Sequence, residues 1–287
     1  MKLLIFVFFS ILNAQHILAD DSVKILSMNA YMLPRPVKFT MQARRTQAII
    51  EQLKKTNYDV IFFQEAFIKE FRLQLSENLN QIYPHSFYLD KDTKFFSFLG
   101  SGLFVLSRYP FKVLDQVYFN ECASFDCFSS KGSLLLQISY PNKKTYQFAN
   151  THLQAGSAYS DIRLNQLAQI KASLNKYKSN GIVQILVGDL NIDANSNDFS
   201  KTLMLLEMQY AKLVGPIKTT NARTNDCYNT PEKKLWIDHI LIERLDLVQK
   251  LEMQVVDFSF KNNEKICPSS DHHALEGHFN LGHQNQL

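Results

Sequence analysis

Apolar residues in this chain gather in short runs, and most runs stop abruptly at polar residues. Val23–Met28, Val60–Phe63, Gly102–Ser107, Val113–Phe119, Ile182–Val187, Trp236–Ile242, Leu251–Phe258 and Ala274–Leu281 read as strands. Lys131–Tyr140 and Lys144–Thr151 read as a hairpin around Pro141-Asn142. Two stretches carry the helical period instead. Thr40–Lys55 places Met41, Ala48, Ile49 and Leu53 on one face, and Asp161–Tyr177 does the same with Ile162, Leu167, Ile170 and Leu174. Strands outnumber helices and often follow one another directly, which predicts mixed sheets with helices outside rather than a purely parallel, doubly wound sheet.

The polar residues at the strand ends form a set. Asn29 follows the first strand and Gln64-Glu65 the second. The hairpin ends in Asn150-Thr151-His152, and the run at Ile182–Val187 ends in Gly188-Asp189-Leu190-Asn191. Asp238 belongs to a later strand, and Ser270-Asp271-His272 precedes the last one. Taken alone, Gly188 to Asn191 reads equally as a turn, because Gly, Asp and Asn favour turns, or as a site, because strand ends in α/β folds carry sites. Six such groups are hard to explain as turns. Carboxylate and amide oxygens suit Mg²⁺ or Mn²⁺, imidazoles supply acid–base chemistry, and carboxamides hold water or a non-bridging oxygen. Carboxylates beside apolar runs are costly unless used, which singles out Glu65 and Asp189. Asn29 reads as a site residue, with a closing turn as the alternative. Arg163 reads either as support for the site or as a solvated helix charge. His85, His273 and His278 fall in none of these groups, and the role of His239 stays open.

Composition adds the compartment. Lys2 followed by the apolar run Leu3–Leu12 and then small and polar residues reads as a signal peptide over residues 1–19, cut after Ile17-Leu18-Ala19, with Ala14 a weaker site. The run is too short to span a bilayer. Residues 20–287 then form one exported catalytic domain, secreted or periplasmic. Four cysteines in an exported chain suggest two disulfides, and four allow three pairings. The preferred pairing is Cys122–Cys127, closing a tight loop, with Cys227–Cys267, which would tether the segment before Asp238 to the loop holding Asp271 and His272. The net charge of +4 permits a phosphate-bearing partner without demanding one.

The ordered motifs Asn29, Gln64-Glu65, Thr151-His152, Gly188-Asp189-Leu190-Asn191, Asp238 and Ser270-Asp271-His272 resemble the endonuclease/exonuclease/phosphatase superfamily. That resemblance implies an α/β (α+β type) four-layered sandwich of two mixed β-sheets flanked by helices, the DNase-like fold. Met28-Asn29-Ala30-Tyr31-Met32-Leu33, Thr151-His152-Leu153-Gln154-Ala155, Ser130-Lys131-Gly132 and Arg163 with Asn165-Gln166-Leu167 resemble one branch, the secreted bacterial neutral sphingomyelinases (sphingomyelinase C). The branch implies Mg²⁺-dependent hydrolysis of sphingomyelin to ceramide and phosphocholine, with a phospholipid or sphingolipid substrate and peripheral contact at a membrane surface. It implies Glu65 as the central Mg²⁺ ligand with Asn29 beside it. His272 is the general base oriented by Asp238, and Asp271 helps place His272 or the metal. Asp189 and Asn191 position water and phosphate. His152 donates to a phosphoryl oxygen or protonates the leaving group, and Arg163 supports the site. The chain departs from the branch at its edge metal site, where Lys69, Leu99 and Gly100 replace the ligands, so one principal divalent site is expected. His239 stands where a Tyr is common. A secreted nuclease or a phosphoinositide phosphatase on the same scaffold is the alternative, and only the nuclease would bring nucleic acid as partner. A catalytically silent binding module is disfavoured by intact Glu65, Asp189, Asn191, Asp238 and His272. For membrane contact, Phe258 and Phe260 read either as interfacial or as core residues, and Phe95, Phe96 and Phe98 form a second candidate.

Overall fold

Strand alternation sends successive side chains to opposite faces, and in this chain both faces are apolar. A strand with two apolar faces must be covered on both sides, which requires more than two layers. The computed structural model, describing residues 22–35, 40–90, 97–141, 144–210, 213–215, 220–222, 227 and 234–281, has that architecture. Residues 1–19, read from the sequence as a signal peptide, and Phe95 and Phe96 lie outside the described residues.

In chain order the elements begin with β1 (Val23–Asn29), α1 (Gln42–Leu53), β2 (Val60–Gln64), α2 (Lys69–Asn78), β3 (His85–Tyr88), β4 (Phe104–Ser107) and β5 (Phe111–Tyr118). The middle of the chain gives β6 (Gly132–Ser139), β7 (Thr145–His152), α3 (Ser160–Tyr177), β8 (Val183–Asp189), α4 (Asn197–Leu206), β9 (Gln209–Tyr210) and β10 (Leu213–Val214). The last part gives β11 (Asn221–Ala222), β12 (Lys234–Leu235), β13 (Asp238–Ile242), β14 (Val248–Val256), β15 (Ser259–Asn262), β16 (Lys265–Pro268) and β17 (Ala274–Leu281). One sheet has seven strands in the order β10-β14-β17-β1-β2-β4-β3, and the other has six in the order β5-β6-β7-β8-β13-β9. Both are mixed: β1 runs parallel to β2 and antiparallel to β17, and β7 runs parallel to β8, which is antiparallel to β13.

Three cores fill the three spaces between four layers. Ile25, Phe62, Leu134, Phe148, Ile185 and Ile240 meet between the sheets. On the other face of the same strands, Leu26, Met28, Ile61 and Phe63 pack beneath α1 and α2, against Ile49, Leu53, Phe71 and Leu75. Leu135, Ala149, Leu186 and Leu241 pack beneath α3 and α4, against Leu167, Ile170, Leu174 and Phe199. Among the described residues no helix is long and apolar enough to cross a membrane.

The structure adds elements that the sequence pattern does not announce. Helix α2 buries only Phe71 and Leu75, too few for a visible stripe. Helix α4 begins at Ser196, whose side chain accepts a hydrogen bond from the Phe199 backbone N–H, a capping arrangement inside what reads as a polar loop. The β15–β16 hairpin carries Phe260 paired with Cys267. Phe258, considered for membrane contact, belongs instead to the core beneath α1, where it is 4% exposed. The strand direction at Val256 turns it inward, so the interfacial reading of that residue is withdrawn. Disulfides join Cys122 to Cys127 and Cys227 to Cys267.

Candidate active site

The site lies at one edge of the sandwich, where β1, β2, β7 and β8 end and β13 begins. Backbone register sets its residues: His152 pairs across with Asp189, and Asp189 with Asp238. A single row across the smaller sheet therefore carries two carboxylates and an imidazole. Gly188 keeps the row tight, because a Cβ there would meet the Thr151 carbonyl oxygen at 2.0 Å. Just beyond β1, β2 and β8, Tyr31, Glu65 and Asn191 adopt left-handed backbone angles near φ 50°. Such strained turns recur at functional sites, and here they lie where the strands open onto the cleft.

The two sheets are bridged at this edge. Asn29 Nδ2 donates to Glu65 Oε1 at 3.0 Å and to Asp189 Oδ2 at 3.1 Å, and Gln64 Nε2 donates to Asn150 Oδ1 at 2.8 Å. His272 Nδ1 lies 2.8 Å from Asp238 Oδ2, and its Nε2 lies 3.8 Å from Asp189 Oδ2. Its loop is held by Ser270, whose hydroxyl donates to the Asn29 carbonyl at 2.5 Å and accepts from the His272 N–H at 3.2 Å. Asp271 is buried beside it. Asn191 is fixed by its N–H to Asp189 Oδ1 at 2.9 Å and by its carboxamide to the Leu153 carbonyl at 3.1 Å. Arg163 is buried rather than solvated, donating to the carbonyls of Gln154 at 3.1 Å and Gly156 at 2.6 Å, so it braces the loop after His152.

Lys131 brings a buried cation to the site. Its Nζ donates to His152 Nε2 at 3.1 Å and to the Leu153 carbonyl at 2.7 Å, and it pairs with Asp126 Oδ2 at 2.9 Å. His152 Nε2 also lies 3.5 Å from Asp189 Oδ2. In the sequence Lys131 stands out only inside Ser130-Lys131-Gly132. A lysine at a strand start otherwise reads as solvated, and only the tertiary fold buries it. His239 is structural: it stacks on Phe199 with centroids 4.6 Å apart, and its Nε2 meets the Ile192 carbonyl at 2.7 Å.

Electrostatics follow from this crowding. Desolvation and then Asp271 push the Glu65 carboxyl up to about 7. Desolvation and then Asp238 push Asp189 up to about 6. Burial opposes a charge on His272, but Asp238, Asp189 and Asp271 outweigh it and raise it to about 10. Burial, Lys131 and His272 hold His152 well below the ordinary imidazole value. The cleft floor thus gathers more carboxylates than cations, and carboxylate oxygens are hard ligands. That donor set fits a divalent cation of the Mg²⁺ type. Asp189, Asp238 and His272 place ligand atoms within 4.8 Å of one another. However, Asp238 is engaged with His272, which leaves Glu65, with Asn29 beside it, as the better-matched ligand position. The cleft has a volume of about 460 Å³ and is lined by Glu65, His152, Asp189, Asn191 and His272. A larger hollow of about 560 Å³ between α1 and α2 is lined by Thr46, Glu70 and Phe71, and it contains none of these groups.

This sandwich, with carboxylates, amides and imidazoles gathered at one edge, defines a class. The chain belongs to the endonuclease/exonuclease/phosphatase family, whose sequence model matches residues 26–272. It is 28% identical over 247 residues to sphingomyelinase C 2 of Leptospira interrogans, covering 77% of this chain and 39% of that protein. It spans 39% to 59% of the length of the first curated relatives it matches. Among solved structures, a beta toxin from Staphylococcus aureus superposes with a TM-score of 0.77 at 23% identity, covering 89% of this chain and 99% of that one. A variant of that toxin with bound magnesium ions gives 0.75 at 22% identity, with 89% and 99% covered. At these identities the structural likeness is one of fold.

Proposed function

We propose that this chain is an exported, divalent-metal-dependent phosphodiesterase that hydrolyses sphingomyelin to ceramide and phosphocholine at a membrane surface. The observation that carries the reading is the His272–Asp238 pair directed at Asp189 on the same cleft floor as Glu65 and Asn29. The Leptospira relative, a sphingomyelinase by name, supports the choice of substrate.

Nδ1–H of His272 donates to Asp238, which fixes the tautomer and leaves Nε2 open to the cleft. The carboxylates that raise His272 would be offset by a bound cation, and Nε2 would then be free to take a proton from the attacking water, whose place is set by Asp189 and Asn191. As the water oxygen bonds to phosphorus, the bond from phosphorus to the ceramide oxygen breaks. The departing oxygen takes the proton shared by Lys131 and His152. Glu65, with Asn29 beside it, would hold Mg²⁺, which supplies charge neutralisation to the phosphate when bound. Asp271 keeps the His272 loop in register, and Arg163 keeps the His152 loop in place.

The test offers purified protein with Mg²⁺ three substrates side by side: sphingomyelin, phosphatidylcholine and plasmid DNA. Phosphocholine release from sphingomyelin is expected, reversibly lost in EDTA and abolished by Glu65→Gln and His272→Ala. Mg²⁺ should raise the melting temperature of the native chain and not that of Glu65→Gln. Full activity in EDTA, or cleavage of DNA in preference to lipid, overturns the reading.

A further inference from the structure

Three exposed aromatic rings stand together at one rim of the cleft. Phe125 is 83% exposed, Phe98 67% and Phe128 48%. Their rings lie in a chain, with Phe98 to Phe128 centroids 5.8 Å apart and Phe125 to Phe128 6.2 Å apart. Phe125 and Phe128 belong to the short 3₁₀ turn Ser124–Phe128, which the Cys122–Cys127 disulfide closes. Phe98 is docked onto that turn: the N–H groups of Phe98 and Leu99 both donate to the Phe128 carbonyl, at 3.1 and 3.0 Å, and the Ser97 and Ser130 hydroxyls are 2.5 Å apart. The segment where the family's edge ligands would stand, at Leu99 and Gly100, is thus built into the turn.

The turn is also wired to the site. Asp126, between Phe125 and Cys127, lines the cleft. It pairs with the buried Lys131 at 2.9 Å and accepts from the Ala155 N–H at 2.6 Å. The base of the turn is held by Gln154, which accepts from the Ala123 N–H at 2.9 Å and donates to its carbonyl at 3.1 Å. One rigid turn therefore presents a carboxylate to the cleft and aromatic rings to solvent.

We propose that Phe98, Phe125 and Phe128 form the surface on which the protein seats on a zwitterionic phospholipid bilayer, setting the cleft mouth against the headgroups. The proposal rests on the lipid-cleaving reading above. Three facts choose the partner. The rings leave roughly 400 Å² of aromatic surface in water, in the range where a patch on a monomer is commonly functional. That is about half of the ~800 Å² per partner of a standard protein interface. The described residues of the two segments, Ser97–Leu99 and Glu121–Ser129, carry Glu121 and Asp126 and no lysine or arginine, so nothing there would select an anionic bilayer over a neutral one.

The test measures partitioning in EDTA, which prevents hydrolysis, onto sphingomyelin–phosphatidylcholine vesicles with and without added anionic lipid. Variants are Phe125→Ala/Phe128→Ala and Phe98→Ala. Because burying a Phe side chain gives about 1.5–3 kcal/mol, of which partial insertion recovers a part, the double variant should partition about 100-fold more weakly. It should retain its melting temperature and its turnover of a soluble, short-chain phosphodiester with Mg²⁺. Phe125→Trp should bind, and its emission should shift to the blue on vesicles. Unchanged partitioning of the double variant, no shift for Phe125→Trp, or tighter binding to anionic vesicles overturns the proposal. So does a native dimer that the double variant dissolves, since the patch would then face a second copy. Loss of soluble turnover in the double variant would also overturn it, because the turn would then act by supporting the site rather than by seating the protein on lipid. If native protein fails to turn over the soluble ester while vesicle binding follows the rings, the enzymatic reading fails and the surface stands.

Discussion

Arg45 gives the sharpest test of how the site is held. It lies on α1, with none of its surface exposed. Its guanidinium donates to the Ser269 carbonyl at 2.8 Å, the Tyr31 carbonyl at 2.9 Å and Thr40 Oγ1 at 2.7 Å, and also to the Ala30 carbonyl. Two of those carbonyls follow Asn29 and one precedes Ser270-Asp271-His272, so a single planar fork ties the loop after β1 to the loop that carries His272. Arg45→Met keeps the stem and removes every donor, orphaning three buried carbonyls. Each orphan costs about 1–3 kcal/mol, but relief of the guanidinium's own desolvation returns part of the loss. A net loss of about 4 kcal/mol should lower Tm by roughly 10 °C in a domain of this size. A displacement of about 1 Å at Asn29 or His272 should cost on the order of 100-fold in kcat. Arg45→Lys, a compact ammonium that cannot span all four acceptors, should fall between. The assay is turnover of a soluble phosphodiester, run well below each variant's melting temperature. Retention of native Tm within about 2 °C and of full turnover by Arg45→Met would refute the role, because three orphaned carbonyls cannot be that cheap.

Two further outcomes follow from the electrostatics. Asp238→Asn should keep the fold and lower kcat by about 10³–10⁴-fold, as expected when an imidazole loses the carboxylate that orients it. The His272 titration, raised to about 10 in the metal-free protein, should move down by NMR; an unmoved titration contradicts the pairing. Burial holds His239 down at about 4, below the ordinary 6.5, so its contribution to stability is complete above pH 6.5 and is lost as pH falls toward 4. Over that window about 3 kcal/mol should disappear. His239→Phe, which keeps the stack on Phe199, should flatten the loss in urea midpoints measured from pH 7 to 4; an unchanged slope would show that other groups cause it.

The strand ends were legible because burial and chemistry leave opposite marks: Val60–Phe63 can only be core, and Glu65 directly after it has no apolar role. Elements held by few contacts left no such mark. Helix α2 shows two buried side chains, and α4 hides behind its own capping serine. Arg45 offered a weak signal. It stands one helical turn before Ile49 in the apolar stripe of α1, a place where a charge needs a partner, but its neighbour Arg44 makes the pair read as surface. Lys131 could not be read locally, because its burial depends on Asp126, His152 and Leu153 arriving from elsewhere. Alternation at Val256, Phe258 and Phe260 was visible, but it does not say which face is wet. Phe125 and Phe128 sit in a turn without periodicity, so nothing in the pattern distinguishes outward rings from inward ones.

The seven-stranded sheet has a temporal consequence. Its first strand, β1, pairs from Val23 to Ser27 with its last, β17, Val23 lying opposite Phe279 and Ser27 opposite Leu275. While the chain is still emerging from a ribosome, β1 has no partner on that side, and the strand that joins β14 to it does not yet exist. The larger sheet therefore cannot close until β17 is available, and neither can the His272 loop just before it. A site assembled in this order is completed only once β17 has been made, so a chain cut before Ala274 would carry every side chain of the cleft without the strand that closes the sheet behind them.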